Sequence, residues 1–108
     1  MPSNEQQQQI DFTVDRNHLY REESFTDIKV AAIRRLIPVK PDGSNDDSRF
    51  PIFMGQTQLI TPKGPVMLQS LLKAQTIEEA MDEFPAAMQA QMDKMIADAM
   101  ERQVRENK

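Results

Sequence analysis

A chain of 108 residues with 39% apolar content has the size of one small domain, which buries only about 60–70% of its unfolded surface. It contains no cysteine, which excludes disulfides, thiolate metal sites and a thiol nucleophile. Its start lacks the basic and apolar parts of a secretory signal, and no apolar run approaches the about 18 residues of a membrane span. We therefore expect a cytoplasmic protein that does not enter a membrane.

The net charge of −4 is concentrated at the C-terminal end. Residues 1–75 hold nine Lys or Arg and nine Asp or Glu, whereas residues 76–108 hold four and eight. An acidic surface repels the phosphate backbone of nucleic acids. We therefore do not expect nucleic acid as a partner.

The N-terminal part divides into a tail and a possible strand. Residues 1–9 are polar with a run of Gln, and we predict a disordered tail because they offer too little apolar surface to offset the entropy of ordering. Residues 10–108 are predicted to form a single domain. Within it, Ile10, Phe12 and Val14 alternate with polar residues, so residues 10–24 are predicted as an arm or an edge strand.

Three strands are predicted within residues 25–75. The first begins at Phe25 and stops before Pro38, with period-two alternation and β-branched residues, although residues 31–36 taken alone also fit a helix. A loop rich in Asp, Asn, Ser and Gly follows at residues 41–48. The second and third strands cover about residues 52–60 and 66–74, and the short connection between them requires an antiparallel pair.

The C-terminal segment, residues 76–108, is predicted to form an amphipathic helix. Thr76 and Glu79 have the spacing of a capping box. Pro85 indicates either a kinked helix or two parts, the second beginning at Pro85. The fold class is therefore α+β: an antiparallel meander of three strands, or four if residues 10–24 pair at its edge, followed by this helix. The apolar residues at helical spacing are Ile77, Met81, Phe84, Met88, Met92, Met95, Ala99 and Met100.

The polar residues match no catalytic or metal-binding motif. His18, with Asp15 and Ser24 nearby, lacks the sequence context of a nucleophile elbow, so we interpret it as a surface residue. The loop with Asp42, Ser44, Asp46 and Asp47 departs from the pattern of a calcium loop and is interpreted as Asx turns. We predict no catalytic residues, no metal and no cofactor.

Two further features of the strands bear on binding. Arg34 and Arg35 are adjacent in a strand, so they point to opposite faces and do not form one anion site. Gly55 lies in the middle of the second strand, which indicates a bulge or the close approach of another backbone.

Two resemblances accompany these patterns. The segment from LYREESFTDIKV to FMGQTQLITPKGPV, within residues 17–84, resembles a small family of bacterial cytoplasmic proteins with no assigned function, which implies no active site. The segment AQTIEEAMDEFPAAM is similar to the strand-to-helix step of small antitoxins with a β-β-β-α core. This chain departs from such antitoxins in lacking a recognisable DNA-binding extension.

The length of the helix predicts self-association. A straight helix of thirty residues spans about 45 Å, whereas the strands span about 30 Å. We therefore expect a non-enzymatic homodimer that serves as a protein-interaction module and binds itself and another protein. The alternatives are a regulatory or antitoxin-like module that masks a partner, with contact to nucleic acid left open, and a small-molecule binder using Gln56 and Gln58. The predicted interface comprises Met88, Met92, Met95, Ile96, Ala99 and Met100.

Overall fold

The computed structural model describes residues 9–106, which form a four-stranded antiparallel sheet followed by one long helix. The strands lie side by side in chain order, so the α+β meander is confirmed and its fourth strand comes from the segment predicted as an arm or edge strand. The predicted disordered tail, residues 1–9, lies outside the described residues except for Gln9. The elements are β1 (Leu19–Thr26), β2 (Ala32–Val39), β3 (Ile52–Thr61), β4 (Gly64–Leu72) and α1 (Ile77–Glu106).

A turn joins β1 to β2 where the sequence predicted an uninterrupted first strand. The antiparallel register pairs Phe25 with Ile33, so the chain reverses over residues 27–31. Asp27 Oδ1 holds the turn by accepting hydrogen bonds from the amides of Ala31 at 3.0 Å and of Val30 and Lys29 at 2.9 Å. Ile28 takes a φ of 65°, a region that β-branched residues rarely adopt. The strand prediction across residues 27–31 was wrong because apolar alternation continues through this turn.

One face of the sheet packs against α1 to form the core. Phe53 in β3 lies at its centre and is 1% exposed. Period-two alternation places Leu68 and Leu72 of β4 on the same face, as predicted. The helix contributes residues at steps of four. The buried cluster comprises Ile33, Phe53, Leu68, Leu72, Ala80, Phe84 and Met88.

The helix begins at a well-formed N-terminal cap. Thr76 Oγ1 accepts a hydrogen bond from the Glu79 amide at 3.1 Å. The Glu79 carboxylate reaches back to the amide of Gln75, at 2.9 Å, one residue earlier than in the simplest capping box. The second turn is tied to the residue that follows β4, because both carboxylate oxygens of Glu83 accept from the Lys73 amide at 2.9 Å.

Pro85 lies inside α1, which continues through it as one helix. Of the two alternatives left open by the sequence, the two-part arrangement is therefore not formed. The residue before the proline, Phe84, is buried against the sheet, while Pro85 itself is exposed. The proline ring thus lies on the solvent side. The carbonyl of the preceding turn, which lacks an amide donor at Pro85, can accept a hydrogen bond from water there.

Arg49 fixes the long connection between β2 and β3. Its Nη2 donates hydrogen bonds to the carbonyls of Leu19 and Val39, both at 3.0 Å. Its Nε donates to Asp46 Oδ2 at 3.0 Å, and the guanidinium lies 5.0 Å from the centre of the Tyr20 ring. One side chain thereby joins the start of β1, the end of β2 and the loop.

Candidate interaction surfaces

The polar residues considered for catalysis do not assemble into one site. His18 Nδ1 lies 2.9 Å from Asp15 Oδ2, and this hydrogen bond lowers the pKa of Asp15. Both side chains are exposed, at 67% and 69%. Ser24 follows His18 by six residues along β1, a distance of about 20 Å. The structure therefore separates Ser24 from the His18–Asp15 pair.

The acidic loop between β2 and β3 uses its carboxylates to form turns. Asp42 Oδ1 accepts from the amide and the hydroxyl of Ser44, at 3.0 and 2.7 Å. Asp46 Oδ1 accepts in the same way from Ser48, at 3.0 and 2.6 Å. The hydrogen bonds from Ser48 and Arg49 lower the pKa of Asp46 to about 2. Within residues 9–106, no cluster of three or more His, Cys, Asp or Glu side chains could hold a metal ion.

The adjacent arginines of β2 are each paired with a glutamate of β1. Arg34 Nη1 lies 3.3 Å from Glu22 Oε1, and Arg35 Nε donates a hydrogen bond to Glu23 Oε1 at 2.7 Å. The two pairs lie on opposite faces of the sheet, as the strand alternation predicts. The guanidinium of Arg35 also lies 5.3 Å from the centre of the Phe25 ring. The positive charges are thus matched within the sheet.

The six residues predicted as an interface fall into three groups. Met88 is 6% exposed, so it belongs to the core of its own chain. Met92 and Met95 are partly buried and pack against that core. Ile96, Ala99 and Met100 lie farther along α1 and are exposed.

The exposed end of α1 carries an apolar stripe that extends beyond the predicted interface. Ile96 is 47% exposed, Met100 61% and Val104 60%. We call these three residues the terminal stripe. Their spacing of four places them along one side of the helix. Val104 was missed by sequence reasoning, although its position four residues after Met100 was a sufficient signal.

A second apolar surface lies where the β1–β2 turn meets the first half of α1. This cleft has a volume of about 380 Å³, and we call it the hairpin cleft. Met81 lines the cleft and is 54% exposed, because the neighbouring Ala80, which is 0% exposed, occupies the position that faces the core. The prediction that Met81 lies on the buried face of the helix was therefore wrong. The lining residues are Phe25, Thr26, Asp27, Val30, Ala31, Ile33, Met81, Phe84 and Pro85.

The segment before β1 is a third apolar feature, which we call the arm (residues 9–14). Ile10 is 69% exposed, Phe12 83% and Val14 63%. The arm forms neither helix nor strand, so of the two alternatives left open for residues 10–14, a strand or an arm, the strand is not formed. Within the arm, the Thr13 amide donates a hydrogen bond to Asp11 Oδ1 at 2.9 Å.

The second face of the sheet is uncovered by the described residues. Ile60, Met67 and Leu71 on this face are 81%, 53% and 64% exposed. Gln56 and Gln58, the residues considered for small-molecule binding, line an open cleft of about 420 Å³ on this side. The small-molecule alternative stays a prediction.

Comparison with known proteins adds no identification. Searches against protein-family models, curated protein sequences and solved structures found no significant match to this chain. Among residues 9–106, no helix is both long enough and apolar enough to cross a membrane.

Proposed function

We propose that this chain is a non-enzymatic protein-interaction module that self-associates through the terminal stripe. The observation that supports the proposal is the exposure of Ile96, Met100 and Val104, at 47%, 61% and 60%, along one side of α1. Contiguous apolar patches are uncommon on soluble monomers and mark interaction sites when they occur.

The geometry of α1 explains why these side chains have no partner within their own chain. The helix has 30 residues and spans about 45 Å, whereas a strand of about nine residues spans only about 30 Å. The last helix residue packed against the core is Met95. Beyond Met95, the side of α1 that carries the terminal stripe is therefore unpaired within its own chain.

A second copy of the chain offers a surface that matches the terminal stripe. In a two-fold arrangement each helix presents the same side to the other, so Ile96, Met100 and Val104 would be buried in pairs. Charged residues flank the terminal stripe on α1, including Glu101 and Arg105, which pair with each other at 3.1 Å. These charges would remain in water at the rim, where they cost no desolvation.

Light scattering coupled to size exclusion tests this proposal. The expected mass of the native protein is twice the 12.4 kDa of one chain. Met100→Lys should reduce the mass to one chain, because burying an unpaired charge in the contact is costly. Asp98→Lys also introduces a lysine, but about 160° around α1 from Met100, and should leave the dimer intact. A native mass of one chain at every concentration would refute the proposal.

A further inference from the structure

We propose that the free edge of β4 is a second self-association surface, where β4 pairs antiparallel with β4 of another copy about a two-fold axis at Gln69. The two sheets then form one sheet of eight strands. This contact goes beyond the proposed function and can form without it, because the terminal stripe lies on α1 and the free edge lies on β4.

The outer edge of β4 exposes backbone hydrogen-bonding groups. β4 is the last strand in the sheet order, so no strand within residues 9–106 covers this edge. A two-residue loop joins β3 to β4, and the pair that flanks it is Thr61 and Gly64. In such a hairpin the flanking pair exchanges hydrogen bonds, and so does every second pair after it. The even-numbered residues of β4 therefore bond to β3, and the odd-numbered residues direct their amides and carbonyls outward.

The outward amides form a group that is bounded at both ends. Pro65 has no amide hydrogen. Beyond the other end, the amide of Lys73 already donates to the carboxylate of Glu83 at 2.9 Å. The Leu71 carbonyl accepts the Ser70 hydroxyl at 3.1 Å, which leaves its second lone pair for an amide of another strand. The residues with outward amides are Met67, Gln69 and Leu71.

This group is complementary to itself about Gln69. Only one antiparallel register pairs all three residues with one another, and it sets Gln69 opposite Gln69 of the second copy and Met67 opposite Leu71. The two copies then exchange about six hydrogen bonds. Met67 and Leu71 are 53% and 64% exposed and would pack on each other across the seam, a type of cross-strand pair that stabilises a sheet.

Charge favours β4 over β1 as the pairing edge. Charged side chains on an edge strand oppose pairing with another chain, and β4 has none between Gly64 and Leu72. A register centred on Leu68 would set Lys63 opposite Lys73 of the second copy, whereas the register centred on Gln69 does not. Pairing of β4 with β1 of another copy would be head-to-tail and need not close. The charged residues of β1 are Arg21, Glu22 and Glu23.

The position of α1 leaves room for the pairing. Both helices would lie on the same face of the joined sheet. Phe84 of α1 packs over Gly55 of β3, and Gly55 is opposite Ser70, next to the proposed axis. The β3 strands of the two copies would be three strand spacings apart, about 14 Å. Packed helices need only about 8–10 Å between their axes, so the two α1 helices fit side by side.

The edge contact adds to the dimer formed by the terminal stripe. A hydrogen bond contributes little net free energy, and association has an entropic cost. We therefore expect edge pairing at higher protein concentration than the stripe contact. The native mass should rise with concentration from two chains toward four, since two kinds of two-fold contact can close into a tetramer.

Disulfide trapping reports the pairing, because the chain contains no cysteine. Facing residues of a hydrogen-bonded antiparallel pair have Cα atoms about 5.5 Å apart, within the about 4.4–6.8 Å that a disulfide spans. Gln69→Cys should form disulfide-linked dimers in a buffer of oxidised and reduced glutathione. Gln58→Cys is the matched control, since it is exposed but lies on β3, and it should link several-fold less. Equal linking of the two variants would overturn the proposal.

A mixture of two cysteine variants tests the register. Met67 and its equivalent in the second copy are offset by four residues along the strand, about 13 Å. Met67→Cys alone should therefore not link, and neither should Leu71→Cys alone. The mixture should form the mixed disulfide, identified by mass spectrometry, because Met67 faces Leu71 across the axis. A mixture that links no more than either variant alone would refute pairing about Gln69.

Variants that block the edge test its role in the assembly. Gln69→Pro removes the central amide, and proline is tolerated at edge positions whose amide faces solvent. Leu71→Lys places a charge on the same edge, which opposes strand pairing. Both should keep the native circular dichroism spectrum and hold the mass at two chains where the native protein reaches four. Gln58→Lys, on β3, should behave as the native chain does. Edge variants that reach four chains as readily as the native protein would contradict the proposal.

Combination with Met100→Lys separates this inference from the proposed function. If Gln69→Cys/Met100→Lys is a monomer at low concentration and still forms the disulfide at high concentration, both contacts stand. If Met100→Lys leaves the native mass unchanged while Gln69→Cys links, the edge contact stands and the terminal stripe is not the interface. If the native protein is a dimer at every concentration and Gln69→Cys does not link, the proposed function stands and this inference fails.

Discussion

Phe84 of α1 lies directly over Gly55 of β3, so close that a Cβ on the glycine would be 3.0 Å from Phe84 Cδ1. Gly55 lies in a regular part of the sheet, opposite Ile33 on one side and Ser70 on the other. The glycine therefore marks the close approach of a helix side chain, and neither the bulge nor the close backbone considered from the sequence is present. This contact sets the distance between α1 and the sheet.

Substitution of Gly55 by alanine should destabilise the protein by about 1–3 kcal/mol, the usual cost of overpacking a core. The new methyl group would press on the Phe84 ring, and the backbone there does not need positive φ. Urea denaturation measures the change. In the Phe84→Leu background the same substitution should cost less, because a smaller side chain leaves room. Equal costs in the two backgrounds would show that the contact is not responsible.

The helix and the strands that follow β1 were predictable because, in each of these segments, the residue pattern indicates the same element that forms in the fold. The apolar alternation of β3 and β4, the tight connection at residues 61–65 and the Thr76 cap each indicate the element that forms. The β1–β2 turn was not predictable in this way. It has no glycine or proline, and it depends on three amides converging on the Asp27 carboxylate, which the residue pattern does not reveal.

Stability should fall as the pH drops from about 4 to about 2, in part because of Asp27 and Asp46. The backbone amides around Asp27 lower its pKa from 3.8 to about 2 in the fold. Hydrogen bonds from Ser48 and Arg49 lower the pKa of Asp46 to about 2. A lowered pKa contributes stability that is present above the unfolded value and is lost as the pH falls through the folded value. The Asp27→Ala/Asp46→Ala variant should therefore show a smaller decrease in Tm over this range. A decrease equal to that of the native chain would assign the acid sensitivity to other groups.

Replacement of Arg49 by lysine should lower the free energy of unfolding by about 1–3 kcal/mol. The guanidinium bridges the Leu19 and Val39 carbonyls and stacks on Tyr20, whereas an ammonium group cannot make the same forked contact. Chemical denaturation provides the measurement. Arg105→Lys is the matched control, because that exposed pair with Glu101 should change stability by less than about 0.5 kcal/mol. A similar effect of both changes would contradict the structural role of Arg49.

The candidate surfaces were only partly predictable, since exposure depends on where the helix crosses the sheet. Periodicity placed Met81, Met88 and Met100 on one side of α1. The structure distributes them between the hairpin cleft, the core and the terminal stripe. The sheet covers only part of the helix, and a sequence period carries no information about where that cover ends. The hairpin cleft depends on contact between residues far apart in sequence, such as Phe25 and Met81, and had no sequence signal.

Alanine substitutions at Met88 and Met100 should separate the core from the proposed interface. Met88 is 6% exposed, so Met88→Ala leaves a cavity and should cost about 2–5 kcal/mol at any protein concentration. Met100 is 61% exposed, so within one chain Met100→Ala should change stability by less than about 0.5 kcal/mol. If the terminal stripe joins two chains, the Tm of the native protein rises with concentration by mass action, and Met100→Ala reduces that dependence. Thermal unfolding at several concentrations distinguishes the two effects. A Met100→Ala chain with the same concentration dependence as the native chain would place the association surface elsewhere.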